Sequence, residues 1–204
     1  LWERGVVPFL KVDKGLEDEV DGVQLMKPNP DLEALLDRAK EKEIFGTKMR
    51  SVINHASQTG IAAIVDQQFE VGARILAKGL MPIIEPEVNI KSDSRADCDA
   101  ILLEELMRAL DGLPDGERVM LKLSLPVNAD LYVPLVAHPK VARVVALSGG
   151  FSQDDACAEL RKNHGMIASF SRALLQDLRH DMDDAEFDRT LADAINRICS
   201  ASTT

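Results

Sequence analysis

Four charged residues recur at one interval in otherwise apolar segments: Lys11, Lys48, Glu85 and Lys122 follow one another every 37 positions. A charge is not placed in a core strand without partners, because removing it from water costs several kcal/mol even after relaxation. Four neighbouring parallel strands that bring Lys, Lys, Glu and Lys to one end would form a mutually compensating cluster. For any single position, a structural ion pair or a charge at a strand mouth is an equal explanation. For all four together an active site is the better one, since strand C-termini in such sheets are where active sites are built.

Alternation along a strand puts Lys11 with Asp13, Lys48 with Arg50, Glu85 with Glu87, and Lys122 with Ser124 on common faces. Lys122 is the sharpest candidate, set in Val119-Met120-Leu121-Lys122-Leu123-Ser124-Leu125. For a lysine in such a setting, desolvation and a second ammonium such as that of Lys48 both favour the neutral amine. A neutral buried amine attacks carbonyls to give a Schiff base. Glu85-Pro86-Glu87 offers carboxylates able to move protons during carbinolamine dehydration and C–C cleavage. Two glutamates on one strand also suit a divalent metal, but His55, His138, His164 and His180 show no ligand spacing, which weakens that reading.

Two further turns fit anion binding. Ser148-Gly149-Gly150 ends an apolar run and leads to a helix start at Ser152, so exposed N–H groups could hold a phosphate. Ser169-Phe170-Ser171-Arg172 ends the next run, with Arg172 offering a bidentate fork. A Gly-Gly turn alone is equally a plain loop. Two such turns on the last consecutive strands match the phosphate site built after strands seven and eight of a β/α barrel.

The elements that must position these residues alternate. Strands are expected at 6–13, 44–53, 81–88, 119–125, 141–148 and 166–170, and helices at 31–43, 59–78, 97–110, 153–162 and 173–200, the last broken near Asp183. Ser152-Gln153-Asp154-Asp155 resembles a capping box, and Gly79, Gly112 and Gly165 stand where helix stops are expected. Strand then helix, repeated, means a parallel α/β sheet. The spacing suits a (β/α)8 TIM barrel, with a doubly wound open sheet fitting less well.

With 204 residues, 46% hydrophobic and 28% charged, the chain reads as a single domain, 1–204, with one substantial core. The net charge of −10 argues against nucleic acid or an anionic membrane as partner, since either needs a basic surface. No apolar run approaches the ~20 residues of a membrane helix. Cys98, Cys157 and Cys199 form neither an even disulfide framework nor a metal-ligand pair, so reduced thiols and a cytoplasmic location are expected.

Pro8-Phe9-Leu10-Lys11-Val12-Asp13-Lys14-Gly15, Thr47-Lys48-Met49-Arg50, Pro82-Ile83-Ile84-Glu85-Pro86-Glu87, Leu121-Lys122-Leu123, Leu147-Ser148-Gly149-Gly150 and Ser169-Phe170-Ser171-Arg172-Ala173-Leu174 together resemble class I fructose-1,6-bisphosphate aldolase in its bacterial form. The resemblance follows family order over essentially the whole chain. It implies reversible, cofactor-free cleavage of fructose 1,6-bisphosphate to dihydroxyacetone phosphate and glyceraldehyde 3-phosphate through a Schiff base, in glycolysis and gluconeogenesis. By motif, Lys122 resembles the Schiff-base lysine and Glu85 the proton donor and acceptor, with Glu87 and Lys48 as the neighbours that tune them. Lys11 and Arg50 resemble contacts to the sugar or its C6 phosphate. Ser148, Gly149, Gly150, Ser169, Ser171 and Arg172 resemble the C1-phosphate site, with Ser171 where animal members have glycine. The implied ligand is a small sugar phosphate and the implied assembly a homo-oligomer, with no metal, nucleic acid or membrane.

The resemblance further implies that the six strands are strands three to eight of the barrel, with the first two β/α units, and an aspartate the family uses on strand one, outside this chain. The isolated chain is then expected to be inactive or poorly folded. The C-terminus ends in Ser-Ala-Ser-Thr-Thr, without the terminal tyrosine of animal aldolases. Other Schiff-base barrels, such as transaldolase or deoxyribose-phosphate aldolase, share the lysine but not Glu-Pro-Glu and Ser-Gly-Gly in this order. A metal-dependent aldolase and a non-catalytic binding partner are the remaining alternatives.

Overall fold

The computed structural model describes residues 1–202. Each predicted apolar segment becomes a strand, shortened where its ends lack a neighbour: β1 (Phe9–Lys11), β3 (Gly46–Ile53), β4 (Met81–Val88), β5 (Val119–Ser124), β6 (Val141–Leu147) and β7 (Ile167–Ala168). They lie side by side in the order β1-β3-β4-β5-β6-β7, every pair parallel. The result is an α/β half-barrel of six parallel strands with helices between them.

The connecting helices are α1 (Leu32–Glu41), α2 (Gln58–Ala77), α3 (Arg95–Asp111), α4 (Val133–Val136), α5 (Gln153–Leu160), α6 (Arg172–Leu175) and α7 (Asp184–Ala201). The cap expected at Ser152 forms, its Oγ accepting from the Asp155 N–H at 3.1 Å. The C-terminal stretch is helical only over Arg172–Leu175 and again from Asp184, with 176–183 non-helical where the first part of a helix was expected; Asp183 Oδ1 accepts from the Glu186 N–H at 2.8 Å to start α7. Gly79 follows the end of α2 with a positive φ of 74°, Gly112 closes α3 at φ −75° and uses no left-handed geometry, and Gly165, at φ 78°, lies in the turn beyond α5, which already ends at Leu160.

Two features depart from the sequence reading. Residues 12–27 do not simply lead to a helix: they contain β2 (Val23–Gln24), antiparallel to the end of β3, with a bridge Val20↔Val23 closing a tight hairpin. The four-residue α4 follows β5, where no element was expected.

Packing follows from the two faces of the strands. On β4, Pro82, Ile84, Pro86 and Val88 face the helices, while Ile83, Glu85 and Glu87 face inward. On β5, Leu121 and Leu123 are fully buried against the helix layer, and Lys122 and Ser124 take the inner face. The dry layer between sheet and helices is built from Met49, Ile53, Ile61, Ile64, Ile84, Leu102, Leu106 and their neighbours. At the N-terminal end the strands approach so closely that a Cβ at Gly46 would sit 2.2 Å from the Met81 carbonyl oxygen. Any side chain there would push β3 and β4 apart.

Candidate active site

The 37-residue interval keeps its meaning in the folded chain. Lys11 pairs directly with Lys48, and Ile84 with Leu121, each an offset of 37, while between β3 and β4 Lys48 pairs with Ile83, a slip of two residues. A slip of two preserves the face, so all four charges project from the same side of the sheet. The slip carries Glu85 beyond Lys48 to the level of Arg50, while the unslipped β4–β5 pairing keeps it one step past Ile84↔Leu121 and level with Lys122.

That placement creates a triad. Glu85, 3% exposed in its side chain, lies with Oε1 3.0 Å from Lys122 Nζ and Oε2 2.8 Å from Lys48 Nζ. Lys122 is 16% exposed and Lys48 25%. The two ammoniums do not face each other directly, as the sequence reading supposed; one carboxylate stands between them. Two residues further along the same strands, Arg50 Nε lies 3.2 Å from Glu87 Oε2. Both glutamates are thus engaged by side-chain cations, an arrangement unlike a ligand pair held for a divalent metal.

These groups open on a cavity of about 190 Å³ lined by Lys48, Arg50, Glu85, Glu87, Lys122, Leu147, Ser148, Gly149, Ser169, Ser171 and Arg172. The strand ends from β3 to β7 therefore meet at one place. Gly149 and Gly150 both have positive φ, 60° and 113°, and a Cβ at Gly149 would come 2.6 Å from Ile90 Cγ2. Ile90 belongs to the segment after β4, so only glycine lets the Ser148-Gly149-Gly150 turn lie against the loop of the glutamate strand. Ser148 is buried, and its carbonyl accepts from the Phe151 N–H at 2.9 Å, closing the turn.

Two expected residues stand apart. Lys11 is on the correct face but at the sheet edge, 57% exposed, with Nζ 2.5 Å from Asp13 Oδ1. Gly150 shapes the turn without reaching the cavity wall. One residue that sequence reasoning passed over is Gln68 of α2, fully buried, whose Oε1 accepts from the Glu85 N–H at 2.7 Å. A polar residue on the apolar face of a long helix was the signal available for it.

Of the remaining charged residues, Asp99 is the most deeply set outside the cavity. It accepts from the Val127 N–H at 2.9 Å and lies 3.4 Å from the Tyr132 hydroxyl. Burial raises its carboxyl above the usual carboxylate range, and burial likewise lifts the Tyr132 phenol well above its own. Arg95 donates to the Leu125 carbonyl, so the segment that follows Lys122 is tied to α3 at two points. Cys98 and Cys157 are buried free thiols and Cys199 an exposed one. No helix among the described residues is long and apolar enough to cross a membrane.

No family model matches the sequence. Among solved structures, the fold is similar to fructose-bisphosphate aldolase from Plasmodium falciparum, solved in complex with TRAP and a small-molecule inhibitor. The TM-score is 0.72 at 18% identity, over 98% of this chain and 67% of that one. It is also similar, at a TM-score of 0.55 and 14% identity, to a Corynebacterium glutamicum protein, over 82% of this chain and 54% of that one. At such identities the likeness is one of fold, an aldolase-like partial barrel.

Proposed function

We propose that the cavity is the active site of a Schiff-base aldolase acting on fructose 1,6-bisphosphate. The observation that carries the reading is the Lys122 amine 3.0 Å from the buried Glu85 carboxylate, at the mouth of the half-barrel. Around that pair the charged lining is Lys48, Arg50, Lys122 and Arg172 against Glu85 and Glu87. In a chain of net charge −10, this is a local excess of positive charge, suited to a phosphorylated substrate. The aldolase-like fold supports the reading, as does the match of motifs to the bacterial class I form.

In the proposed reaction Glu85 takes a proton from the Lys122 ammonium 3.0 Å away, and the freed amine adds to the C2 carbonyl of the open-chain sugar. Glu85, within hydrogen-bond reach of that nitrogen, donates the proton that lets the carbinolamine oxygen leave as water. The resulting iminium withdraws the electrons of the C3–C4 bond. As that bond breaks, the C4 hydroxyl proton passes to a carboxylate, Glu85 or Glu87, and glyceraldehyde 3-phosphate departs. Protonation of the enamine at C3 and addition of water to the iminium then release dihydroxyacetone phosphate and restore the amine. Lys48, on the other oxygen of Glu85, is placed to hold the carboxylate and to meet the developing C4 oxygen. The Ser148-Gly149 turn with Arg172 would take the C1 phosphate, and Arg50 the far end of the sugar. Lys11 would contribute by electrostatics from the rim, or after release from Asp13. A cytoplasmic, homo-oligomeric enzyme of glycolysis and gluconeogenesis is the setting we propose for this chemistry.

Borohydride trapping tests the reading. The complete enzyme is incubated with dihydroxyacetone phosphate, reduced and digested, and the adduct is located by peptide mapping. A mass adduct on Lys122 is expected. No adduct, with turnover abolished by a chelator, would replace this mechanism with a metal-dependent one. Neither adduct nor turnover would leave a binding protein.

A further inference from the structure

The buried face of α2, which packs over the glutamate strand, is apolar except at one point. Gln68 is 0% exposed on α2, on a buried face shared with Ile61, Ile64, Val65 and Ile75. An amide in such a layer is costly unless both of its ends are bonded, and a leucine would fill the space without that cost. Both ends of Gln68 are bonded. Its Oε1 accepts from the Glu85 N–H at 2.7 Å, and its Nε2 donates to Ser51 Oγ at 3.0 Å. Ser51 is itself fully buried on β3, next to Arg50.

The position of this bridge in the sheet gives it significance. Pairing between β4 and β5 stops at Ile84↔Leu121, one residue short of Glu85 and Lys122. The next residue on β4 is Pro86, which has no N–H. At the level where the two candidate reacting side chains meet, β4 is held in the sheet only from the β3 side, by Arg50↔Glu85 and Ser51↔Pro86, and the α2 side chain of Gln68 adds an acceptor for the Glu85 N–H from the helix layer. We infer that Gln68 is a positioning residue for the site: with Ser51 it fixes the backbone at Glu85 and so sets the carboxylate between Lys48 and Lys122. The inference rests on the proposed reading of that cavity and adds a supporting residue that touches no substrate.

The test is Gln68→Met, which keeps the volume and removes both hydrogen bonds, with Ser51→Ala, which frees only the Nε2 end. Per folded molecule, Gln68→Met lowers kcat by about tenfold or more and leaves KM within about twofold, the signature of a misplaced group rather than a lost contact. A second readout needs no turnover. Pyridoxal 5′-phosphate with borohydride labels amines, and Lys78, paired on the surface with Asp37, serves as reference. Gln68→Met changes the ratio of Lys122 to Lys78 labelling by about threefold or more. An unchanged ratio, including no label at Lys122 in either protein, overturns the inference. A changed ratio without aldol cleavage keeps the positioning role and removes the proposed reaction. Should Gln68→Met not fold, Ser51→Ala carries the same comparison, and an unchanged ratio there overturns the inference equally.

Discussion

Glu85 Oε1 lies 3.0 Å from Lys122 Nζ across two neighbouring strands, while the second oxygen of the same carboxylate lies 2.8 Å from Lys48 Nζ. One buried anion therefore serves two cations. The arrangement keeps two lysines on the inner face of the sheet without isolated buried charge, yet leaves the trio with net positive charge for an anionic substrate. It also places the group that can move a proton within hydrogen-bond reach of the group that can attack a carbonyl.

Replacing the amine should separate chemistry from stability. Lys122→Met removes the proposed nucleophile but leaves Glu85 paired with Lys48 and the apolar surroundings filled. Turnover is expected to fall by at least about 10³-fold and the borohydride adduct to vanish. The melting temperature should change little. Steady-state kinetics, mass mapping and a thermal melt on the same sample decide it; an adduct that persists moves the Schiff base to another lysine.

Removing the carboxylate does the reverse. Glu85→Gln leaves two ammoniums facing one neutral amide, and a fully buried pair broken in this way costs about 3–5 kcal/mol. The cost is smaller here because both lysines reach solvent. Turnover is expected to fall by about 10²–10⁴-fold as the proposed acid and base function is lost. Adding Lys48→Met to Glu85→Gln should recover stability and not turnover. Chemical denaturation of the single and double variants, alongside kinetics, checks both halves, and recovery of turnover in the double variant would contradict the proton-transfer role.

The sequence made the site more legible than its surroundings. Strand and helix periodicity located all six parallel strands, and the constant interval put Lys11, Lys48, Glu85 and Lys122 on one face because the slip between β3 and β4 is even. The interval alone could not reveal that slip, which sets Glu85 level with Arg50 and not with Lys48, while the unslipped β4–β5 pairing leaves it level with Lys122. Nor could it show that Lys11, on an edge strand, would turn to Asp13. The hairpin at Val20↔Val23 was missed although Asp21-Gly22 is a hairpin dipeptide, with both residues at positive φ, 53° and 73°. Its strand is two residues long, too short for an alternation signal to stand out from the acidic run around it. Gln68 escaped notice because a single polar residue on an apolar helix face has no partner in sequence; its partners are 17 positions away on either side.

Asp99 sets a pH dependence opposite in sign to the common carboxylate case. Burial raises its folded-state pKa above the ordinary value of 3.8, so folding favours the protonated acid. Its contribution is then fully present below that value and is lost as pH rises through the raised folded-state pKa. Asp99→Asn cannot titrate. The stability of the wild type minus that of Asp99→Asn is expected to decline as pH increases from 3.8 upward, and denaturant melts across that range measure it. A difference that rises with pH would mean that Arg95, 3.9 Å away, outweighs burial.

The glycine turn provides the last prediction. Gly149 has φ +60°, and a Cβ there would meet Ile90 Cγ2 at 2.6 Å. Gly149→Ala thus carries a left-handed backbone penalty of about 1–2 kcal/mol and a clash with the segment after β4. If the turn holds the C1 phosphate, displacement by the clash weakens substrate binding: KM for the bisphosphate should rise about tenfold, a loss of about 1.4 kcal/mol, with kcat less affected. Ile90→Ala opens the space that the new methyl needs. In Gly149→Ala/Ile90→Ala the steric part should be relieved and most of the KM increase reversed, while the backbone penalty remains in the melt. Isothermal titration with inorganic phosphate follows the same order, weaker in Gly149→Ala and partly recovered in the double variant. Unchanged phosphate affinity in Gly149→Ala would move the phosphate away from this turn, leaving Arg172 and the Ser169-Phe170-Ser171 end of the cavity to hold it.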